Sequence, residues 1–321
     1  MAAPHDGTSI GQLGEFGLVA ALVGRFPLTD DVVLGPGDDA AVVVAADGRV
    51  VASTDLLVEG RHFRRDWSSA HDVGRKAAAQ NLADVVAMGA RPTALLVGLG
   101  APPDLPAAWA TGFADGLAVE CALVGATVVG GDVVRSDHVV VSVTALGDLE
   151  GRAPVTRAGA RPGDVVALAG RLGWAAAGLA ILGRGFRSPR VLVDAHRVPA
   201  PPYAAGPAAA RGRATSMIDV SDGLVQDAGH LASASGVVVS LRTELLVVDA
   251  PLAEAAAAFN ADPLTWVLSG GDDHALLATF PRQGGVPEGF TVIGEVLDGA
   301  AVVLVDGTTY AGPPGHDHFA R

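Results

Sequence analysis

Short aliphatic runs that break off at Gly and Asp constrain this chain more than any other feature. Gly35-Pro36-Gly37 turns into Asp38-Asp39, and Ser53-Thr54-Asp55 closes the run Val50-Val51-Ala52. Gly130-Gly131-Asp132 follows Ala126-Thr127-Val128-Val129, and Asp219-Val220-Ser221-Asp222-Gly223 follows Met217-Ile218. Gly270-Gly271-Asp272-Asp273 follows Trp266-Val267-Leu268. Read as strands, these runs place carboxylates at strand ends beside glycine, where a carboxylate has no packing role. Their recurrence points to a shared centre of positive charge, with magnesium carrying a polyphosphate as the expected occupant.

The chain has 321 residues, enough for two domains with cores of their own. Half of it is hydrophobic and 18% is charged, a globular composition. A formal net charge of −13 argues against a nucleic-acid surface, which needs clustered Lys and Arg. An acidic protein can still take an anionic substrate when divalent ions reverse the local sign. Cys121 is the single cysteine, so neither an intrachain disulfide nor a Cys-based zinc cage can form. With no signal-peptide pattern in Met1 to Gly14 and no long uninterrupted apolar run, a cytoplasmic protein that does not engage membranes is expected.

Periodicity predicts helices over Gly14 to Phe26, Ala70 to Gly89 and Leu105 to Leu123, with Phe16, Val19, Ala20 and Val23 on one stripe of the first. Strands are expected around Val32 to Val44, Val50 to Leu57, Thr93 to Leu99 and Val139 to Ala145. The pattern resets in the Gly-, Arg- and Pro-rich stretch Gly147 to Gly163, which predicts domains over 1–147 and 148–321. In the second, strands are expected over 164–168, 217–220, 237–241, 275–280, 291–296 and 301–305. Helices are expected over 174–182 and 223–234, and Pro199 to Gly212 reads as loose. Neighbouring strands mixed with long helices favour an α+β class.

Several chemistries are excluded. No G-x-x-x-x-G-K-[ST] loop exists, and Lys76, the only lysine, lies inside a predicted helix. No G-x-G-x-x-G sits at a strand-to-helix junction with an acid downstream. No Ser-His-Asp or Cys-His arrangement can be argued, so no covalent nucleophile is expected, and Cys121 reads as a core residue. The histidines show no zinc spacing. Asn81 and Asp84 share a face of an Ala-rich helix, as a solvent-facing stripe or as part of a site. Ser221 or Asp222 could cap the helix that follows them, but capping leaves Asp219 unexplained. His62, in the polar loop Glu59-Gly60-Arg61-His62-Phe63, is either structural or a substrate contact. Oxygen ligands of the Asp, Ser and Thr type suit magnesium-assisted phosphoryl transfer, which needs no protein nucleophile.

Taken in order, these segments resemble the thiamine-monophosphate kinase family. The likeness is carried by Gly14-Glu15-Phe16, Gly37-Asp38-Asp39-Ala40-Ala41, Ser53-Thr54-Asp55 through His62-Phe63, and Asn81-Leu82-Ala83-Asp84 through Met88-Gly89-Ala90. It continues through Gly130-Gly131-Asp132, Thr156-Arg157-Ala158-Gly159, Asp219 to Leu224, Ser269 to Asp273 and Asp317-His318-Phe319. The resemblance implies transfer of the ATP γ-phosphoryl group to thiamine phosphate by in-line attack, with several Mg2+ ions. It implies a two-domain fold similar to aminoimidazole ribonucleotide synthetase: an α+β N-terminal domain that binds ATP and metal and dimerises, and an α/β layered C-terminal domain that completes the site. The expected assembly is a homodimer.

Carried onto this sequence, the resemblance makes Asp39, Ser53, Thr54, Asp55, Asp84, Asp132, Asp219 and Asp222 metal ligands. Gly131, Asp132, Arg157 and Ser221 would contact ATP, and His62, Asp272 and Phe319 would contact thiamine phosphate. The metals are expected to draw ligands from both domains. The family commonly has Gly-Gly-Glu-Asp-Tyr-Glu where this chain has Gly270-Gly271-Asp272-Asp273-His274-Ala275. That places the shorter Asp272, and His274 in place of a tyrosine, at the substrate wall. The rival is another ATP-dependent synthetase of the same superfamily. Selenophosphate chemistry would want a reactive cysteine in an early Gly-rich loop, and none is there. A non-catalytic metal- or nucleotide-binding module is the rival of a different class.

Overall fold

The computed structural model describes residues 7–36 and 40–316, so Asp39 and Phe319 lie outside the described residues. The chain divides into two compact units. One holds the chain up to Val85 together with Arg91–Gly151, and the other holds Val86–Ala90 and the chain from Arg152 onward.

The first unit runs α1 (Ile10–Val23), β1 (Val32–Leu34), β2 (Val42–Val43), β3 (Val51–Val58), α2 (Ala70–Ala87), β4 (Arg91–Ala101), α3 (Ala107–Ala122), β5 (Thr127–Arg135) and β6 (Val140–Asp148). The helix α1 starts at a capping box in which Ser9 accepts from the Gln12 amide and Gln12 from the Ser9 amide. Its backbone leaves helical geometry at Gly14, where φ is 66°, so one helical register does not run through it. That shifts the apolar stripe expected from the sequence: Leu18 is buried, whereas Phe16 is 85% exposed.

A four-stranded sheet ordered β3-β6-β4-β5 forms the frame, with β4 and β5 parallel and the other pairs antiparallel. Ser69 and Asp72 exchange side-chain and backbone hydrogen bonds at the start of α2, again a reciprocal cap. The helices α2 and α3 approach so closely that only glycine fits. A Cβ on Gly74 would lie 2.0 Å from the Phe113 carbonyl oxygen, and one on Gly116 would lie 2.1 Å from that of His71. Arg75 and Glu120 pair beside this crossing. Cys121 is buried in α3, as its apolar surroundings predicted, and burial pushes its thiol up to about 12.

Two acidic segments are not at strand ends. β3 continues to Val58 beyond Ser53-Thr54-Asp55, and β5 runs to Arg135 through Gly130-Gly131-Asp132. The ladder to β4 absorbs the glycines through a shift in register at Leu95/Leu96. A Cβ on Gly131 would stand 1.9 Å from the Val97 carbonyl oxygen, so strand packing alone requires glycine there.

The second unit adds β7 (Val165–Ala169), α4 (Trp174–Gly183), α5 (Arg190–Arg197), α6 (Ala205–Arg211), β8 (Ser216–Val220), α7 (Leu224–Ser235) and β9 (Val238–Leu241). It ends with α8 (Ala250–Ala258), α9 (Pro263–Ser269), β10 (Ala275–Phe280), β11 (Phe290–Leu297), β12 (Val302–Val305) and β13 (Thr308–Thr309). Its sheet is ordered β13-β12-β9-β11-β7-β10-β8, and only β9 and β12 pair in parallel. Residues Val86 and Ala87 of α2, with Ala167, Ala169, Met217, Leu276, Phe280 and Phe290, make a core beneath this sheet. The stretch read as loose contains α6, which docks by glycine: a Cβ on Gly206 would meet the Val86 carbonyl oxygen at 2.0 Å. The run Trp266-Val267-Leu268 is helical rather than a strand, because Asp262 caps α9 through the Leu264 amide and Pro263 sits at its first turn. Among the described residues no helix is long and apolar enough to cross a membrane.

Candidate active site

In the first unit, the β3 alternation sends neighbouring side chains to opposite faces of the sheet. Ser53 points toward α2, where its hydroxyl donates to Asp84 Oδ2 at 2.6 Å. The Asp55 amide donates to Asn81 Oδ1 at 3.0 Å, and the Asn81 side-chain amide donates to the Ala77 carbonyl. Asn81 is wholly buried and Asp84 half-buried, so the Asn81/Asp84 face is not a solvent-facing stripe. Thr54 turns the other way: its hydroxyl donates to the Val143 carbonyl and pairs with Thr144. Ser53, Asp55, Asn81 and Asp84 are therefore brought together, and the Thr54 side chain is not among them.

Asp132 is exposed, and its Oδ1 accepts from the Val133 amide. It lines a largely apolar cavity of about 740 Å³ with Leu96, Gly98, Gly131, Ser142 and Thr144. His62 is half-buried, and its Nδ1 accepts from the Val58 amide at 3.0 Å, which ties the ring to its own loop.

In the second unit, Asp219 lies within β8 at 4% exposure, and the segment 221–223 leads straight into α7. No side chain caps α7 from its N-cap Gly223. Instead Asp227, one turn inside, accepts from the Asp222 and Gly223 amides at 3.0 and 3.1 Å. Burial, then the neighbouring Asp219 charge, pushes Asp227 up to about 7 against the pull of those amides. The loop 270–274 runs against this turn. Asp272 and His274 donate their amides to the Ser221 and Val220 carbonyls at 2.7 and 3.0 Å. Glycine makes the contact possible: a Cβ on Gly271 would stand 2.4 Å from the Ser221 carbonyl oxygen, and one on Gly223 would stand 2.8 Å from that of Ser269. Asp272 and His274 both hold left-handed backbone, at φ 69° and 53°.

The two residues after Asp272 face inward. Asp273 is buried, and its Oδ1 accepts from the Ala175 amide at the start of α4. Burial pushes Asp273 up to about 7, outweighing the Ala175 and Gly173 amides and Arg171. The His274 ring, expected at the substrate wall, is 5% exposed and hydrogen-bonds Asp219 through Nδ1 at 3.0 Å. The backbone at 274 is left-handed, and the ring is turned to Asp219 of β8. Sequence reasoning missed Asp227 and Asp273; the aspartate four residues after Gly223, in the first turn of α7, was a readable sign of the former.

Arg157 is exposed, with its carbonyl accepting from the Ser235 hydroxyl. Beside it, a Cβ on Gly159 would stand 2.3 Å from the Thr215 carbonyl oxygen. Among the described residues no cluster of three or more His, Cys, Asp or Glu is gathered as a ready-made metal site. The donor chemistry nonetheless fits magnesium. It is all oxygen, Asp219 and Asp222 raise the proton affinity of Asp227 by their charge, and magnesium habitually takes one or two carboxylates plus substrate phosphates.

Residues 37–149 match the AIR synthase related protein N-terminal domain, and residues 161–307 match the corresponding C-terminal domain. A thiamine-monophosphate kinase of Mycobacterium tuberculosis is 53% identical over 319 residues, covering 98% of this chain and 95% of that protein. A thiamine-monophosphate kinase of Corynebacterium glutamicum is 40% identical over 301 residues, covering 91% and 88%. A solved structure of AaThiL complexed with AMPPCP and TMP superposes with a TM-score of 0.79 at 31% identity, covering 98% of this chain and all of that one. The chain belongs to the thiamine-monophosphate kinase family of AIR synthase related proteins.

Proposed function

We propose that this protein transfers the γ-phosphoryl group of ATP to thiamine phosphate, giving thiamine diphosphate and ADP. The observation that carries this reading is the likeness to thiamine-monophosphate kinases over nearly the full length, 53% identical over 319 residues. A phosphate oxygen of thiamine phosphate forms the new P–O bond to the γ-phosphorus as the bond to the ADP oxygen breaks. No protein side chain need become covalently attached, which suits a chain whose single thiol is buried.

The likeness to thiamine-monophosphate kinases supports the residue assignments, and those of Asp39, Thr54 and Phe319 rest on it alone. Asp39, Ser53, Thr54, Asp55, Asp84 and Asp132 of the first unit and Asp219 and Asp222 of the second are the proposed magnesium ligands. Magnesium, when bound, offsets repulsion between the two anionic reactants and stabilises charge on the transferred group. Within this set, Ser53 and Asn81 hold Asp84 and the Asp55 backbone in place. Arg157 offers an exposed guanidinium fork for ATP phosphates, while Gly131, Asp132 and Ser221 complete the ATP contacts. His62, Asp272 and Phe319 are the proposed thiamine phosphate contacts, Asp272 supplying negative charge toward the thiazolium cation. The protein acts in the cytoplasm as a homodimer. The support for self-association is the exposed pair Ala52 and Leu56 on one side of β3.

The test is ADP release from purified protein given ATP, Mg2+ and thiamine phosphate, with thiamine diphosphate identified as product. Turnover only with formylglycinamidine ribonucleotide would select the synthetase reading instead. No thiamine-phosphate-dependent turnover from folded protein would remove the kinase reading.

A further inference from the structure

Asp219 is held by a histidine. β10 lies antiparallel to β8, with Ala275 opposite Val220 and Leu276 opposite Asp219. His274 stands one residue before this ladder and is pinned to it by its amide, which donates to the Val220 carbonyl at 3.0 Å. Its φ of 53° is a conformation that side-chain-bearing residues seldom adopt, so the surroundings over-determine it. The result of that conformation is specific: Nδ1 reaches Asp219 Oδ2 at 3.0 Å, with both side chains buried. A carboxylate can only accept, so Nδ1 carries the hydrogen and the ring donates.

A buried carboxylate with a single rotatable Cβ–Cγ bond can present either oxygen outward. One fixed donor settles which. The same stretch of chain is braced from the other side, where Asp227 fixes the Asp222 and Gly223 amides. Ligand carboxylates in metal sites are themselves commonly hydrogen-bonded, and loss of such a partner costs metal affinity without removing a ligand.

We propose that His274 is a positioning residue for Asp219: its Nδ1–H on Oδ2 fixes the carboxylate plane and leaves ligation to Oδ1. The inference rests on the reading of Asp219 as a magnesium ligand. It assigns His274 to the metal side of the site and takes it away from thiamine recognition.

The test titrates Mg2+ calorimetrically into the full-length protein with a non-hydrolysable ATP analogue, alongside steady-state kinetics. His274→Gly accepts the left-handed backbone and removes the donor. His274→Gln keeps polarity and bulk but carries its amide nitrogen past the Nδ1 position. His274→Asn puts an N–H where Nδ1 stands and also tolerates that backbone. The Gly and Gln variants are expected to weaken Mg2+ binding about tenfold or more, with the KM for thiamine phosphate nearly unchanged, and Asn to restore most of the affinity. Should Gly fail to fold, Gln against Asn makes the same comparison. If Asp219→Asn weakens Mg2+ binding while the Gly and Gln variants bind normally, the His274 inference is overturned and the ligand reading stands. If Asp219→Asn also binds Mg2+ normally, the ligand reading itself falls and the inference falls with it.

Discussion

Ser53 donates its hydroxyl hydrogen to Asp84 Oδ2 across 2.6 Å, tying β3 to α2 over 31 residues of sequence. Ser53→Ala takes this donor from a half-buried carboxylate and is expected to cost about 1–3 kcal/mol in urea unfolding. Asp84→Asn keeps an acceptor for Ser53 while removing the charge. Its unfolding curve is expected to stay near that of the parent while turnover disappears. Near-normal turnover in Asp84→Asn would take Asp84 out of the proposed ligand set.

Two adjacent glycines in β5 should respond differently to alanine. At Gly131 the new Cβ would be forced onto the Val97 backbone oxygen at 1.9 Å, which neither strand can yield without breaking the β4–β5 ladder. At Gly130 the nearest atom is the Leu96 Cδ2 at 3.1 Å, the far end of a flexible side chain. Gly131→Ala is therefore expected to lower stability by about 1–3 kcal/mol or more, and Gly130→Ala by well under that. Equal melting temperatures for the two variants would show that Gly131 is kept for ligand approach and not for strand packing.

How far the sequence could be read follows from which forces it displays. Helix α2 was legible because its apolar period, reciprocal cap and terminal glycine all agree. Strand boundaries at β3 and β5 were not, since polar and glycine residues inside a strand look like its end until the partner strand is known. The identities of the acidic sites were readable as a pattern of residue types in order. What each side chain touches was not: the Thr54 hydroxyl turns away from Ser53 because strands alternate, and the His274 ring turns inward because its backbone is left-handed. Asp273 gave no sign of burial, because its partner amide at Ala175 lies 98 residues away.

Asp273 gives the folding equilibrium a definite pH dependence. Its carboxyl titrates near 3.8 when the chain is unfolded and is pushed up to about 7 when folded, so the native state holds the proton more tightly. The stability it contributes is full below the unfolded value and drains away as pH rises through about 7. Asp273→Asn keeps the Oδ1 acceptor for the Ala175 amide without a charge to bury. The variant should gain stability relative to the parent as pH rises from 4 to 8, flattening the decline in melting temperature over that range. A parallel pair of melting curves across pH would show that Asp273 is ionised in the fold.

Asp272 offers the sharpest test of substrate recognition. Its neighbours Asp273 and His274 are buried, while Asp272 is half-buried, held in place by its amide on the Ser221 carbonyl. With φ at 69°, the position favours residues that tolerate left-handed backbone, which includes asparagine and disfavours the glutamate common in the family. Asp272→Asn thus removes the charge and leaves the loop as it is. If the carboxylate faces the thiazolium cation, the KM for thiamine phosphate should rise about tenfold, equivalent to about 1.4 kcal/mol. The KM for ATP should not follow, because ATP carries no cation for Asp272 to hold. A rise in both constants would move Asp272 to the metal and nucleotide side, and no rise in either would leave thiamine recognition to His62 and Phe319.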